Sequence, residues 1–440
     1  MTVDELREAG VRAAALVLVD NGGIARMKCV SIDRLGRASE RGLGWGEVWG
    51  LALGDDSFAL TPGLYSPSGE LRLRPDLGAA ALLGSSPGWA WAPLDHHWQS
   101  GESWPGCQRG FLRRTVDRGR ALGVEVQAAW ELEWVVGDEG PDGFEALHDG
   151  PGYGAVTFGR TGGMIFGLFE ALAVSGIVPE QIHPEYANGQ LELSLPVRDP
   201  LRATDEVVLA RHVIHAVSAG EGWRASFAPR VVAGSVGNGS HVHVSVWRDG
   251  TNQLAGGDGR EGMRPVGASF LAGMLEHLPA LLAVGAPTEL SYHRLRPAFW
   301  AGAYACWGKE NREVALRLQG VDSPVASDAA NVEWKSPDGA ANPYLALGAL
   351  LAAGLDGIER GLSLPPGVDG DPQALPAGER PARLPSTLAE ATDALAASDL
   401  LRASMGAYLH DRLVAVRRAE VEVSAGLDEE ALVAKHRWRY

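Results

Sequence analysis

The chain has 440 residues, with 39 Lys+Arg against 55 Asp+Glu, a formal charge of −16. That excess argues against a nucleic-acid binder, which would carry a basic stripe, and 45% hydrophobic with 21% charged residues excludes general disorder. Cys29, Cys107 and Cys306 are too scattered for a disulfide framework or a zinc pattern, and the acidic start MTVDELREAG lacks a signal-peptide profile, so a reducing, cytoplasmic setting is expected.

Residues 11–20 (VRAAALVLVD) predict a buried strand, and Asn21-Gly22-Gly23 a turn into a second strand near 24–32. Residues 41–87, rich in Gly, Pro and Ser, predict short strands and long loops; 96–106 (HHWQSGESWPG) predict a connector. Helical spacing over 109–122 ends at Gly123 in the C′ position, and a domain boundary is placed near residue 100. Beyond it, strands and helices alternate to about residue 360. The apolar stretch Tyr344 to Ile358 is interrupted by Gly348, Gly354 and Asp356 and is too short to span a bilayer, so no membrane partner is expected. Six prolines within 362–385 predict loop. Thr387-x-x-Glu390 fits a capping box, with helices over about 398–420 and 427–438.

The chemistry concentrates on four predicted strands. In VEVQAAWELEWVV (124–136), Val126, Ala128, Trp130, Leu132 and Trp134 share one face, and Glu131 and Glu133 share the other, about 7 Å apart by strand rise. Taken alone, E-x-E reads most simply as a solvated outer face. QLELSL (190–195) repeats the pattern with Glu192 on the polar side, just after His183-Pro184-Glu185. SHVHVSVW (240–247) sets His241, His243 and Ser245 opposite a valine face, and H-x-H on a strand is a common metal-ligand spacing. NVEWKS (331–336) adds Glu333 and Lys335 on one face. Five carboxylates with one or two imidazoles suit Mg²⁺ or Mn²⁺ better than Zn²⁺, and such sites usually serve phosphates. Arg294, Arg296, Arg312 and Arg317 are the candidate anion binders, the last two read as flanking an apolar strand core. A mononuclear metal oxygenase built on the H-x-H strand would need far fewer carboxylates and leaves Arg312 and Arg317 unexplained.

In order along the chain, GGIARMK, ELEW, HPEYANGQLEL, GNGSHVHVS, SYHRLRP, NREVALRL and VEWKSPDGAANPYLALGALLAAGLDGI resemble the class I glutamine synthetase family over nearly the whole length. The resemblance implies an α+β fold: a small N-terminal β-grasp domain, 1–100, and a large catalytic domain, 101–440, with a curved antiparallel sheet and flanking helices. It implies a homo-oligomer, typically a dodecamer, with each active site between two subunits and closed by the neighbour's N-terminal domain. It also implies one metal site from Glu133, Glu185 and Glu192 and another from Glu131, His241 and Glu333. His243 and Ser245 would lie toward ATP, Arg312 and Arg317 would bind its phosphates, and Arg294 would hold the amino-acid carboxylate. The family reaction uses ATP and Mg²⁺ or Mn²⁺ to phosphorylate the side-chain carboxylate of an acid such as glutamate, and a nitrogen nucleophile then displaces phosphate.

The chain departs from the family on the nucleophile side. The flap glutamate of ammonia-using members falls on Trp300, which cannot act as a base but can pack against an alkyl amine or a cation. The arginine near the signature segment is Lys335, which loses the bidentate fork. The substrate-loop asparagine falls on Val236, with Gly237 retained, and the N-terminal acid that enters the neighbour's site has only Asp55 or Asp56 as candidates. The expected activity is therefore an ATP-dependent ligase joining glutamate to an organic amine. A true glutamine synthetase with an altered flap and a non-catalytic relative are the competing readings, the latter disfavoured by the full metal-ligand set.

Overall fold

The computed structural model describes residues 1–141 and 143–440. Its first sheet holds β1 (Ala13–Val19), β2 (Ala25–Ser31), β3 (Leu43–Gly46), β4 (Glu70–Pro75), β5 (Ala81–Leu82) and β6 (Trp89–His97). The strand order is β2-β1-β6-β4-β3, with β1 parallel to β6 and antiparallel to β2. The Asn21-Gly22-Gly23 turn joins β1 to β2 as the sequence predicts, while β6 runs through His97 into the segment expected to be a connector. Helix Ile32–Arg41 lays Ile32, Leu35 and Ala38 on Leu16, Leu18, Leu73 and Leu94, the arrangement of a grasped sheet.

The second sheet holds β7 (Glu125–Gly140), β8 (Gly143–Ala146), β9 (Gln181–Pro184), β10 (Gln190–Ser194), β11 (Arg224–Ser226), β12 (Ser240–Arg248), β13 (Thr251–Asn252), β14 (Trp307–Lys309), β15 (Leu316–Gln319) and β16 (Asn331–Trp334). Its main path is β14-β15-β16-β12-β7-β10-β9, and every pairing on that path except β14–β15 is antiparallel. One face carries Trp130, Leu132, Trp134, Val242, Val244 and Trp334 into the main core, under helices Pro200–Gly220, Pro265–Gly285 and Pro343–Arg360. The helix Pro265–Gly285 is long and apolar enough to cross a membrane, but it is mostly buried against Pro343–Arg360. A Cβ on Gly273 would stand 2.2 Å from the carbonyl oxygen of Ala353, and one on Gly357 2.0 Å from that of Ser269. Glycine is therefore what lets these helices cross so closely.

Arg109, on helix Gln108–Ala121, ties the first sheet to helix Pro200–Gly220. It is 3% exposed and bonds Asp205 through Nε and NH2 at 2.9 and 2.8 Å, Asp95 at 2.9 Å and Asp76 at 2.8 Å. Asn342 adds bonds to the carbonyls of Val19 and Asp20 at 2.9 and 3.0 Å.

Four local expectations change. The helix expected over 398–420 is two helices, Asp399–Met405 and Ala407–Ser424, broken at Gly406 with φ +80°. Strand β15 begins at Leu316, so Arg312 lies on the preceding turn rather than beside a strand core. Lys335 follows the end of β16. Thr387 does cap its helix, but Glu390 turns to the amide of Ser386 at 2.7 Å instead of closing the box.

Candidate active site

Strand register assembles the polar face of the second sheet. Glu131 on β7 lies opposite His241 on β12 and Ser194 on β10; Glu133 lies opposite Glu192, and Glu192 opposite His183. His243 lies opposite Glu333, and Glu333 opposite Arg317. Because side chains alternate along a strand, these registers place all of them on one face, while the apolar partners point into the core.

The resulting cluster is tight. His241 Nδ1 is 3.7 Å from Glu131 Oε2 and 3.5 Å from Glu333 Oε1, and its Nε2 is 3.8 Å from Glu133 Oε1. His243 Nε2 is 3.4 Å from Glu131 Oε2, and His183 Nε2 is 3.3 Å from Glu192 Oε1. Within this cluster three sets bring ligand atoms within 4.8 Å of one another: Glu131 with His243 and Glu333, Glu131 with Glu192 and His241, and His183 with Glu185 and Glu192; a fourth such set among the described residues, Glu276 with His277 and Asp356, lies outside it. The grouping thus differs from the expected pair of triads. His183 and His243 join it, and Glu133 turns one oxygen to the amide of Gly239 at 2.7 Å and to Gln190 Nε2 at 3.2 Å.

The electrostatics fit a cation site. Burial and the neighbouring Glu192 push Glu133 up to about 7, and burial likewise raises Glu192. Burial opposes ionisation of Glu131, but the adjacent His241 and His243 imidazoles outweigh it and hold the carboxyl well below the usual range. Glu333 is likewise buried, yet Lys335 and the two histidines bring it down to about 2. Burial and then Lys335 depress His241 to about 4; His243 is also penalised by burial, but Glu131 carries it up to about 9. Carboxylates that repel this strongly ionise together only with compensating positive charge. The donor set is oxygen-rich and hard, and His243 Nε2 is buried with no hydrogen-bond partner among the described residues. These residues therefore fit divalent cations such as Mg²⁺ or Mn²⁺.

Around this floor, Arg294 is 5% exposed and donates to the carbonyls of Lys335 and Ser336 at 2.8 Å each. A Cβ on Gly239 would meet His241 Nε2 at 2.3 Å and Arg294 NH2 at 2.9 Å, so that glycine admits both side chains. Lys335 Nζ bonds Glu333 Oε1 at 3.0 Å. Arg317 bonds Glu333 at 3.3 Å and Glu310 at 2.6 Å, whereas Arg312 is exposed. Glu131, Ser194, His243, Ser245, Gln319 and Asn331 border a cleft of about 270 Å³.

The rim is built from loops. Trp300 is 58% exposed with φ +53°, and Ala298 has φ +64°. The amides of both residues donate to Glu313 at 3.2 Å. Val236 borders a separate surface cleft with Tyr186 and His148. Asp55 lies 3.4 Å from Lys435 Nζ, and Asp56 bonds Arg26 and Arg439, so both are engaged within their own chain.

Sequence reasoning gave no role to three residues, although it named His183 and Gln190. His183 stands two residues before Glu185 in HPEY and shares its strand's polar parity, a signal that was present in the sequence. Gln190 heads the QLEL strand with the same parity. Tyr153, whose hydroxyl donates to Glu185 and whose ring lies 5.2 Å from that of His183, sits on a loop with φ +56° and has no periodic signal.

A family model described as "Glutamine synthetase, catalytic domain" matches residues 105–430. The chain is 45% identical to the gamma-glutamylpolyamine synthetase GlnA3 of Streptomyces coelicolor, over 99% of this chain and 95% of that protein. It is 30% identical to a glutamine synthetase of Pyrococcus horikoshii over 79% of this chain and 75% of that one. Among solved structures, a novel glutamine synthase homolog superposes with a TM-score of 0.87 at 31% identity, covering 98% of this chain and 99% of its own. A GmaS/ADP complex superposes at 0.85 with 28% identity, covering 97% of each chain.

Proposed function

The chain belongs to the glutamine synthetase family, and on that premise we propose that it is an ATP-dependent ligase joining the side-chain carboxylate of glutamate to an organic amine. The observation that carries this reading is the coexistence of a complete carboxylate–imidazole floor with Trp300 at the flap position. The relative of 45% identity is named for γ-glutamylpolyamine synthesis, which supports an amine over ammonia.

In this reading Glu131, Glu133, Glu185, Glu192, His241 and Glu333 would hold two Mg²⁺ or Mn²⁺ ions. When bound, these neutralise phosphate charge and polarise its oxygens for transfer. His243 and Ser245 face the nucleotide. Arg317, already oriented by Glu333 and Glu310, and Arg312 on the adjoining turn take the phosphates. Arg294 is fixed by two carbonyls before substrate arrives and receives the acid's α-carboxylate. Lys335 faces the reacting carboxylate. The γ-phosphoryl group of ATP passes to that carboxylate, ADP leaves, and the amine nitrogen then displaces inorganic phosphate to form the amide. Trp300 offers its ring to the amine. We assign residues 1–100 to a β-grasp domain and 101–440 to the catalytic domain, in a dodecamer with shared sites.

Phosphate release tests the proposal, with ATP, Mg²⁺ and glutamate supplied across a panel of alkylamines, ethanolamine, polyamines and ammonium. Turnover with one or more organic amines exceeding that with ammonium is expected. Turnover with another acid but with no amine–glutamate pair would overturn the glutamate assignment.

A further inference from the structure

Gln190 is 1% exposed and belongs to none of the ligand or substrate positions above, yet its side chain bonds one of them, Glu133, and the backbone of two segments beside others. Its Nε2 lies 3.2 Å from Glu133 Oε2, 3.1 Å from the carbonyl of Gly237 and 2.9 Å from Asn238 Oδ1. Two N–H bonds are thus shared among three acceptors. Its Oε1 accepts from the amide of Ala187 at 2.9 Å, and its backbone carbonyl accepts from the amide of Glu185 at 2.8 Å.

The far ends of these bonds are what matter. Glu133 also accepts from the amide of Gly239, so the 237–239 segment is tied to Glu133 both directly and through Gln190. Asn238 is 1% exposed and anchors that segment by donating to the carbonyls of Ser226 and Ala228 at 3.2 and 2.9 Å. Gly237 and Gly239 in turn leave room for Arg294, which a Cβ at either position would meet at 3.0 and 2.9 Å. On the other side, the 185–187 turn carries Glu185, whose Oε2 accepts from the amide of Tyr186 at 2.8 Å. One amide therefore joins a metal-side carboxylate, the loop under the substrate arginine and the turn holding a second carboxylate.

We propose that Gln190 is a positioning residue that couples the Glu133–Glu185 side of the metal floor to the 237–239 loop that seats the acid substrate. The inference rests on the assignment of Glu133 and Glu185 as metal ligands. Partners one bond behind a ligand commonly change metal affinity about 10- to 100-fold when lost. The nucleotide side, built on Arg312, Arg317, His243 and Ser245, receives no bond from Gln190, so its affinity should be unmoved.

The test uses the full-length protein, Mn²⁺ as the probe and two variants. Gln190→Met removes donors and acceptor at similar length. Gln190→Glu keeps an acceptor for the Ala187 amide, which preserves the turn if Gln190→Met fails to fold. Free Mn²⁺ is measured by electron paramagnetic resonance without nucleotide, and KM is measured separately for glutamate and ATP. The expected result in a folded variant is Mn²⁺ binding weakened about 10- to 100-fold, with KM for glutamate raised and KM for ATP within about twofold of wild type. Wild-type Mn²⁺ affinity and glutamate KM in either folded variant would overturn the coupling. Equal rises in both KM values would show a merely structural role and overturn it too. Absence of Mn²⁺ binding by the wild-type protein would overturn the underlying metal assignment, a failure distinct from that of the coupling.

Discussion

The floor and the rim of the site are built in opposite ways. The floor stands on β7, β10, β12 and β16, its side chains are largely buried, and strand register decides which groups meet. The rim stands on turns: Trp300 and Ala298 adopt left-handed backbone, Arg312 is exposed, and Glu313 ties the flap through two backbone amides. A hydrogen-bonded sheet holds charged groups at fixed separations, as cation binding and phosphoryl transfer need. A turn tolerates substitution, as the choice of nucleophile needs. On the proposed function, the two regions thus divide chemistry from specificity.

The largest effect should come from breaking the floor. Replacing Glu131, which takes part in two of the three ligand groups of the floor, by Ala should abolish ATP turnover while circular dichroism shows an intact fold. Wild-type phosphate release from that variant would dissolve the distinction between floor and rim. Next comes the frame beneath the floor. Arg109→Met leaves Asp76, Asp95 and Asp205 without their shared cation. Loss of about 3–5 kcal/mol is expected, read from denaturant unfolding; a change under about 1 kcal/mol would show that the seam between the first sheet and the helices does not support the fold.

A smaller, pH-dependent effect concerns His96, at the end of β6 and next to Asp95. Burial pushes it down to about 4, so below an unfolded value of about 6.5 the unfolded chain binds more protons than the folded one. Stability should therefore fall as pH drops from about 6.5 to 4. In His96→Gln this component is absent, a difference on the order of 2 kcal/mol at pH 5 between the two acid limbs; parallel limbs would contradict the assignment. The smallest effect tests the rim alone. Trp300→Glu should shift the ratio of ammonium to amine turnover about tenfold toward ammonium, about 1.4 kcal/mol, with KM for ATP unchanged. Unchanged selectivity would remove Trp300 from the nucleophile's path.

Legibility in the sequence follows the same division. Strand parity alone placed Glu131, Glu133, Glu192, His241, His243 and Glu333 on polar faces, because a period of two leaves each side chain only two choices. The β1–β2 hairpin and the helix stop at Gly123 were equally readable, since Asn-Gly-Gly and a C′ glycine have local causes. Parity could not say which ligands would group: that depends on register between strands far apart in sequence, and so His183 went unassigned. Turn geometry was less legible still. Arg312 was read onto a strand, and Tyr153 and the Glu313 tie to the flap came from backbone conformations that no periodicity announces. The break at Gly406 was missed because the flanking residues keep helical character on both sides.

The central claim is that an intact phosphate-transfer floor serves an altered nucleophile rim. It is tested most directly by competition: the wild-type protein is given ATP, Mg²⁺, glutamate, and equal concentrations of ammonium and the best amine from the panel, and the products are partitioned by mass spectrometry. The account predicts that the γ-glutamylamide of the organic amine predominates over glutamine. Glutamine as the predominant product would contradict it.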